Sequence, residues 1–95
     1  MKLEYRKLDA TEITTALADR PGWNIVNDQL SKEFSFSAYL EGIKFATKVG
    51  NLAEELNHHP DILIRWCKVT VSVNTHDVNG ISPYDFELAC LVDQI

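Results

Sequence analysis

Three histidines are the side chains of this sequence best suited to moving protons. His58 and His59 are adjacent, and His76 lies further along the chain. Histidine is the only side chain whose unperturbed charge changes near neutral pH, so it serves readily as a general acid or base. If the fold brings the two segments together, three imidazoles share one pocket. Each histidine taken alone could equally be a structural residue.

Two carboxylates stand at positions where they could act on these histidines. Glu54 lies four residues before His58, a spacing that places two side chains on one face of a helix. A carboxylate beside an imidazole can fix its tautomer and favour its protonated form. Glu54 could also be no more than an exposed helix residue. Asp85 is the second candidate, although its position three residues after Ser82 could simply complete a capping box.

Metal and nucleophile chemistry fit the sequence less well. Three histidines and a carboxylate could bind zinc, which leaves a metal-dependent hydrolase as an alternative. However, adjacent histidines rarely both reach one ion, and the sequence has no HExxH or CxxC pattern. No serine lies in a GxSxG turn, and neither Cys67 nor Cys90 has an activating setting. We therefore expect no metal and no organic cofactor.

Composition limits the class of protein. The 95 residues, of which 45% are hydrophobic, predict a single domain over residues 1–95 with a real core. The net charge of −5 disfavours direct binding of nucleic acid, and no apolar stretch approaches the roughly 20 residues that span a membrane. The first residues alternate in charge without an apolar signal run, so we expect a cytoplasmic protein with reduced thiols.

Local signals predict the order of the elements. Asp9 and Glu12 form a capping box for a first helix over about Ala10 to Asp19, with Leu8 and Ile13 as its hydrophobic staple. The predicted strands are Trp23 to Val26, Leu30 to Phe36, Ile62 to Trp66 and Val69 to Thr75, with a turn at Asn27-Asp28. A last helix starts at Ser82-Pro83 after a loop at Asn79-Gly80.

A long helix from a cap at Ser37 to about Leu56, ended by Asn57, carries two neighbouring apolar stripes. The first stripe contains Tyr39, Ile43, Ala46, Gly50 and Ala53, and the second contains Phe45, Val49, Leu52 and Leu56. Because both together are wide for a one-sided contact, we expect the first stripe to face the sheet and the second to contact another subunit.

The alternation of apolar and polar residues from Val69 to Asn74 predicts a sheet covered on one face only. Together with the order α-β-β-α-β-β-α, it predicts a two-layer α+β fold with a four-stranded antiparallel sheet and three helices packed on one face.

The spacing of the candidate residues resembles that of the pterin-4a-carbinolamine dehydratase family. The residues that carry the resemblance are Glu54, His58-His59-Pro60, Trp66, His76 and Asp85, flanked by Gly22-Trp23, Phe34-Ser35-Phe36 and Thr75-His76-Asp77. The resemblance extends from about Trp23 to the C-terminus. It implies a cofactor-free dehydration of 4a-hydroxytetrahydropterin to quinonoid dihydropterin, which recycles the pterin used by aromatic amino acid hydroxylases, and a homodimer or homotetramer.

The resemblance also implies roles for individual residues. His58 and His76 are the expected proton-transfer pair, His59 the residue that binds and orients the pterin, and Glu54 the residue that tunes His58. The expected substrate contacts are Glu54 as well as Asn57, Asn74, Thr75, Asp77, Asp85 and Trp23. Two positions depart from the family pattern, because many members have Asp in place of Asn57 and a basic residue in place of Tyr84.

A protein-binding role on the same fold is the main alternative. Relatives stabilise dimers of a homeodomain transcription factor or assist assembly of a carbon-fixing enzyme, and the latter have lost key histidines. This chain keeps all three histidines, which favours an enzyme. The resemblance identifies neither the pterin side chain nor a partner protein.

Overall fold

The computed structural model describes residues 2–95. Its elements in chain order are α1 (Ala10–Ala18), β1 (Asn24–Val26), β2 (Gln29–Ser35), α2 (Tyr39–Leu56), β3 (Asp61–Arg65), β4 (Lys68–Val73), the 3₁₀ helix His76–Val78 and α3 (Pro83–Asp93). The strands form one antiparallel sheet in the order β1-β2-β4-β3. The predicted α+β class and the order of the elements are therefore confirmed, and the 3₁₀ helix is an addition.

The two faces of the sheet differ as the alternation in β4 predicts. Val69, Val71 and Val73 are buried in the core with residues of the helices, since successive side chains of a strand point to opposite faces. On the other face, the hydroxyls of Ser31 and Ser72 lie 2.8 Å apart on the paired strands β2 and β4. At the two central strands, the open face is therefore polar and backs the buried face that supports the helices.

Short-range sequence signals fix most of the element ends. The capping box of Asp9 and Glu12 is present at the start of α1, and Asn57 ends α2 in the left-handed conformation with φ of 53°. Asn27 and Asp28 form the β1–β2 turn with φ angles of 51° and 63°. Asn and Asp tolerate this region better than other non-glycine residues, which explains why the prediction of these ends is confirmed.

The start of α2 and the β3–β4 turn lie where the sequence did not indicate them. Ala38, not Ser37, is the N-cap of α2 and makes no side-chain cap bond. The Ser37 hydroxyl instead donates to Oε1 of Glu41 at 2.6 Å. The β3–β4 turn is formed at Trp66 and Cys67, where Cys67 takes a positive φ of 58° without any glycine.

The assignment of the two stripes of α2 was wrong. Val49 is 0% exposed within the subunit, and the Phe45 ring lies 4.6 Å from that of Phe34. The second stripe therefore packs on the domain's own sheet and cannot be the free surface. The first stripe is divided, with Ala46 buried but Tyr39 46% exposed.

Asp93, the last residue of α3, ties this helix to the first half of the chain. Its carboxylate accepts hydrogen bonds from Nζ of Lys32 at 2.9 Å and from Nε1 of Trp23 at 3.0 Å, and it pairs with Arg20 at 3.3 Å. No helix within residues 2–95 is long and apolar enough to cross a lipid bilayer.

Candidate active site

His58 is positioned by the abrupt end of helix α2. Asn57 turns the chain out of the helix through its left-handed conformation, and the His58 amide then donates back to the Ala53 carbonyl at 3.0 Å. The residue is 8% exposed. The first histidine of the pair is therefore held inside the fold rather than on a free loop.

A buried carboxylate fixes the ring of His58. Nε2 of His58 lies 2.6 Å from Oδ1 of Asp85, which is 0% exposed. Oδ2 of Asp85 accepts from the Thr75 hydroxyl at 2.8 Å and from the Ser82 amide at 2.9 Å. The Ser82 contact is half of the capping box of α3, so Asp85 both starts a helix and binds the histidine.

This network sets the tautomer of His58. A carboxylate accepts hydrogen bonds, so Nε2 of His58 carries the proton that it donates to Asp85. Nδ1 of His58 makes no hydrogen bond to any of the described residues. Because no buried polar side-chain atom among these residues lacks a hydrogen-bond partner, Nδ1 must be accessible to solvent. The His58 ring also lines a cavity. Such an arrangement can exchange a proton through Nδ1 of His58.

His59, not His58, is the partner of Glu54. The Glu54 carboxylate is hydrogen-bonded to Nε2 of His59, and both side chains are largely exposed. The expected Glu54–His58 contact assumed helical spacing, but α2 ends at Leu56 and Asn57 redirects the chain. Each histidine of the pair therefore has its own carboxylate, one exposed and one buried.

His76 is held by a tight loop after β4. Thr75 and Gly80 form an isolated bridge in which the Thr75 amide donates to the Gly80 carbonyl at 2.8 Å. Asn79 closes the 3₁₀ helix between them in the left-handed conformation, with φ of 53°. His76 itself is exposed at the first position of this helix.

The two histidine-bearing segments meet at one cavity of about 320 Å³. Its lining residues are Tyr5, Asn57, His58, His59, Asn74, Thr75, His76 and Asp77. All three histidines and four of the seven expected substrate contacts thus share one space. Tyr5 was missed by the sequence analysis, since no spacing relates a residue before α1 to this loop cluster.

The other three expected contacts do not line this cavity. Asp85 lies behind His58, and Glu54 lies beside His59 without reaching the cavity wall. Trp23 is 2% exposed, belongs to the core and donates to Asp93, so the structure places it away from the cavity. The residue type of Trp23 could not show whether its side chain lies in the core or in the substrate cavity.

A larger cavity of about 610 Å³ adjoins the first. Asn74 and His76 line both cavities, while Lys7, Asn27 and Asn79 line only the larger one. Within residues 2–95, no group of three or more His, Cys, Asp and Glu side chains is arranged to hold a metal ion.

The family model for pterin 4 alpha carbinolamine dehydratase matches residues 6–95. The chain belongs to this family. The match includes His58, His59, His76 and Asp85, but it begins one residue after Tyr5.

Relatives from distant organisms cover almost the same length. A protein of Herpetosiphon aurantiacus is 45% identical over 84% of this chain and 83% of its own. Proteins of Thermosynechococcus vestitus and Sulfolobus acidocaldarius are 39% and 36% identical over 94% of this chain, and over 94% and 98% of their own. All three are provisionally named pterin-4-alpha-carbinolamine dehydratase.

Two solved structures share the fold. A transcriptional coactivator/pterin dehydratase from Brucella melitensis superposes with a TM-score of 0.88 at 26% identity, covering 94% of this chain and 97% of its own. A pterin dehydratase-like protein described as a RuBisCO assembly factor in the alpha-carboxysome has a TM-score of 0.65 at 22% identity, covering 77% of this chain and 87% of its own. The second likeness concerns the fold alone.

Proposed function

We propose that this protein dehydrates 4a-hydroxytetrahydropterin to quinonoid dihydropterin and water, as a hydro-lyase that works by histidine acid–base catalysis. The observation that carries the proposal is the cavity that His58, His59 and His76 line together, with His58 bound to the buried Asp85. Membership of the family supports the same reaction class.

The reaction needs one proton delivered and one removed. An acid protonates the C4a hydroxyl, the C4a–O bond breaks, and water leaves. The N5 lone pair forms the N5=C4a double bond, and a base takes the N5 proton. General acid–base catalysis of this kind increases the reaction rate about 10²- to 10⁴-fold.

His58 and His76 form the proposed proton-transfer pair. Asp85 holds Nε2–H of His58, so the other ring nitrogen exchanges its proton with the substrate. A positioned carboxylate also stabilises the imidazolium that forms during such a step. Asp85 is buried behind the ring, and we assign it a positioning role instead of the expected substrate contact. His76, exposed on its loop, serves the other side of the leaving group.

The pterin's polar edge is bound by the remaining residues of the cavity. Asn57, Asn74 and Thr75 offer amide and hydroxyl groups, and Asp77 offers a carboxylate that can accept from an amino group. His59, paired with Glu54, orients the ring. Asn57 replaces the acidic residue of many family members, so Asp77 is the only acidic side chain among the lining residues.

The physiological role that follows is recycling of the pterin cofactor of aromatic amino acid hydroxylases, such as those that hydroxylate phenylalanine, in the cytoplasm. Such a role requires no metal and no organic cofactor in the dehydratase itself.

The decisive experiment is turnover of synthetic 4a-hydroxytetrahydropterin by exhaustively chelated protein, followed by absorbance. We expect formation of the quinonoid product well above the spontaneous rate. Activity that is absent after chelation and restored by zinc would replace imidazole catalysis with metal catalysis. A protein with no activity in either state would overturn the proposed function.

Protein binding is the second candidate, favoured by an apolar sheet edge. β3 is an outer strand of the sheet, and Leu63, Ile64 and Trp66 on and beside it are 56%, 39% and 79% exposed. Unpaired apolar edge strands are templates for pairing with another chain. We propose that this edge, rather than the second stripe of α2, carries self-association into a dimer or tetramer, or contact with another protein.

A further inference from the structure

Tyr5 is an aromatic residue of the candidate site that neither the family pattern nor the sequence spacing assigns. It lines the histidine cavity from the segment before α1. Its ring is stacked on that of Tyr84, with centroids 4.4 Å apart and planes inclined by 18°. Tyr5 is nevertheless 54% exposed, so Tyr84 covers only part of the ring and the rest is available to a ligand.

The segment that carries Tyr5 is anchored to the fold. The Leu8 amide donates to the Ile81 carbonyl at 2.7 Å, and the Leu8 side chain is 2% exposed. Arg6 pairs with Glu12 at 2.9 Å. Tyr5 is thus close to two attachment points, which limits the entropy that it loses when a ligand packs against it.

Tyr84 connects this tyrosine to the chemistry of the site. The Tyr84 ring lies 5.9 Å from that of His58, and the residue directly precedes Asp85 at the start of α3. Tyr5, Tyr84 and His58 therefore form a row of rings from the rim of the cavity to the buried dyad.

We infer that Tyr5 binds the substrate by packing against the planar pyrimidine part of the pterin, and that Tyr84 holds Tyr5 in place. The inference rests on the proposed function, because the ligand is the pterin of that reaction. In the carbinolamine C4a is tetrahedral, but the conjugated part of the pyrimidine ring around N1, C2, N3 and C4 is planar, and planar π-systems favour offset packing on an aromatic ring. The N1–C2–N3–C4 part of the ring stays planar while C4a changes from tetrahedral to trigonal, so a contact with that part strengthens binding without accelerating the chemical step.

The test is a comparison of Tyr5→Ala with wild type in two assays. In direct binding of 7,8-dihydrobiopterin, a stable pterin, we expect Kd to rise about three- to tenfold, the range of one aromatic contact. In turnover of the carbinolamine, KM rises by the same factor and kcat stays within about twofold. Tyr5→Phe keeps the ring and retains wild-type values in both assays.

Two controls separate binding from structure. Tyr39→Ala removes a similarly exposed tyrosine at the opposite end of α2 from the site and leaves Kd and KM unchanged. Tyr84→Ala weakens binding in the same direction, and the double variant with Tyr5→Ala is less than additive, as expected of a supporting residue. The thermal midpoint of Tyr5→Ala stays within a few degrees of wild type.

An unchanged Kd in Tyr5→Ala, or a loss of kcat without a change in Kd, overturns the role of Tyr5 while leaving the proposed reaction intact. A wild type that neither binds the dihydropterin nor turns over the carbinolamine overturns the proposed function, and this inference with it. An equal rise in Kd for Tyr39→Ala also rejects it, because the effect would not be local to the cavity.

Discussion

Nε2 of His58 lies 2.6 Å from Oδ1 of Asp85, a carboxylate that is completely buried and accepts two further hydrogen bonds. Asp85→Asn preserves the size of this side chain but removes the charge and permits the wrong tautomer of His58. We expect kcat to fall on the order of 10²-fold or more, with KM little changed. Steady-state kinetics measure the loss, and thermal unfolding checks the fold. A kcat near the wild-type value would show that the pairing with Asp85 is purely structural.

Turnover should depend on both proposed proton-transfer residues, His58 and His76. His58→Ala and His76→Ala each lower kcat at least about tenfold, because each removes one acid or base from the reaction. His76 is exposed, so His76→Ala leaves stability unchanged, whereas His58→Ala leaves Asp85 without its ring partner and lowers the unfolding midpoint. Circular dichroism verifies that both variants fold. Near-normal turnover in both would contradict the assigned roles.

His59 behaves differently in the proposed mechanism. His59→Ala raises KM several-fold, while kcat falls less than in the other two histidine variants, because loss of ground-state binding appears in KM. Glu54→Gln, which keeps the shape of the His59 partner, changes KM in the same direction by a smaller factor. Steady-state kinetics over a range of substrate concentrations separate the two parameters. A fall in kcat equal to that of His58→Ala would make His59 a proton-transfer residue.

The sequence predicted features that depend on neighbouring residues, but not contacts between residues that are far apart in the chain. The Asp9–Glu12 cap, the left-handed Asn57 and the alternating valines of β4 follow from local rules, and all were predicted. The Glu54–His58 pairing failed because a local rule was carried past the end of its helix. The Tyr5–Tyr84 stack joins residues far apart in the chain, and no spacing rule contains such a contact.

The stripes of α2 show the same limit. Periodicity gives the width of an apolar surface but not which part of it meets the sheet. Gly42 lies on the side of α2 that meets the sheet, where a Cβ would lie 3.2 Å from Val69 Cγ2 and 3.5 Å from the Phe36 ring. The helix approaches the sheet along Gly42, Phe45 and Val49, because the missing side chain permits close contact there.

Because Val49 is buried in the core, its replacement should lower the stability of the fold and not the size of an oligomer. Val49→Lys places a charge in the core and leaves no folded state at room temperature. Val49→Ala lowers the free energy of unfolding by about 2 kcal/mol through lost burial and the cavity left behind. Chemical denaturation measures the loss, and Lys48→Ala on the exposed side is the control. A soluble, folded Val49→Lys monomer would restore the interface assignment.

The edge of the sheet is the surface where self-association is now expected. Leu63→Lys puts a charge on β3 and shifts the protein toward smaller species at equal concentration. Val26→Lys alters a similarly exposed residue on the opposite edge strand, β1, and leaves the size unchanged. Light scattering with sedimentation compares the variants. A wild type that is monomeric at high micromolar concentration rules out the proposed assembly.

The contacts of Asp93 have a consequence for synthesis on the ribosome. This carboxylate joins Arg20, Trp23 and Lys32, across sequence separations of 73, 70 and 61 residues. Contacts between residues so far apart in sequence form late, because the entropy cost of closing a long loop must be met before the contact can form. The hairpin β1–β2 thus emerges long before its carboxylate partner exists, and Trp23 lacks that hydrogen bond until α3 is released. Nascent chains arrested before α3 should accordingly be open to proteases, because they lack Asp93 and the buried residues of α3, and chains that include α3 should be protected.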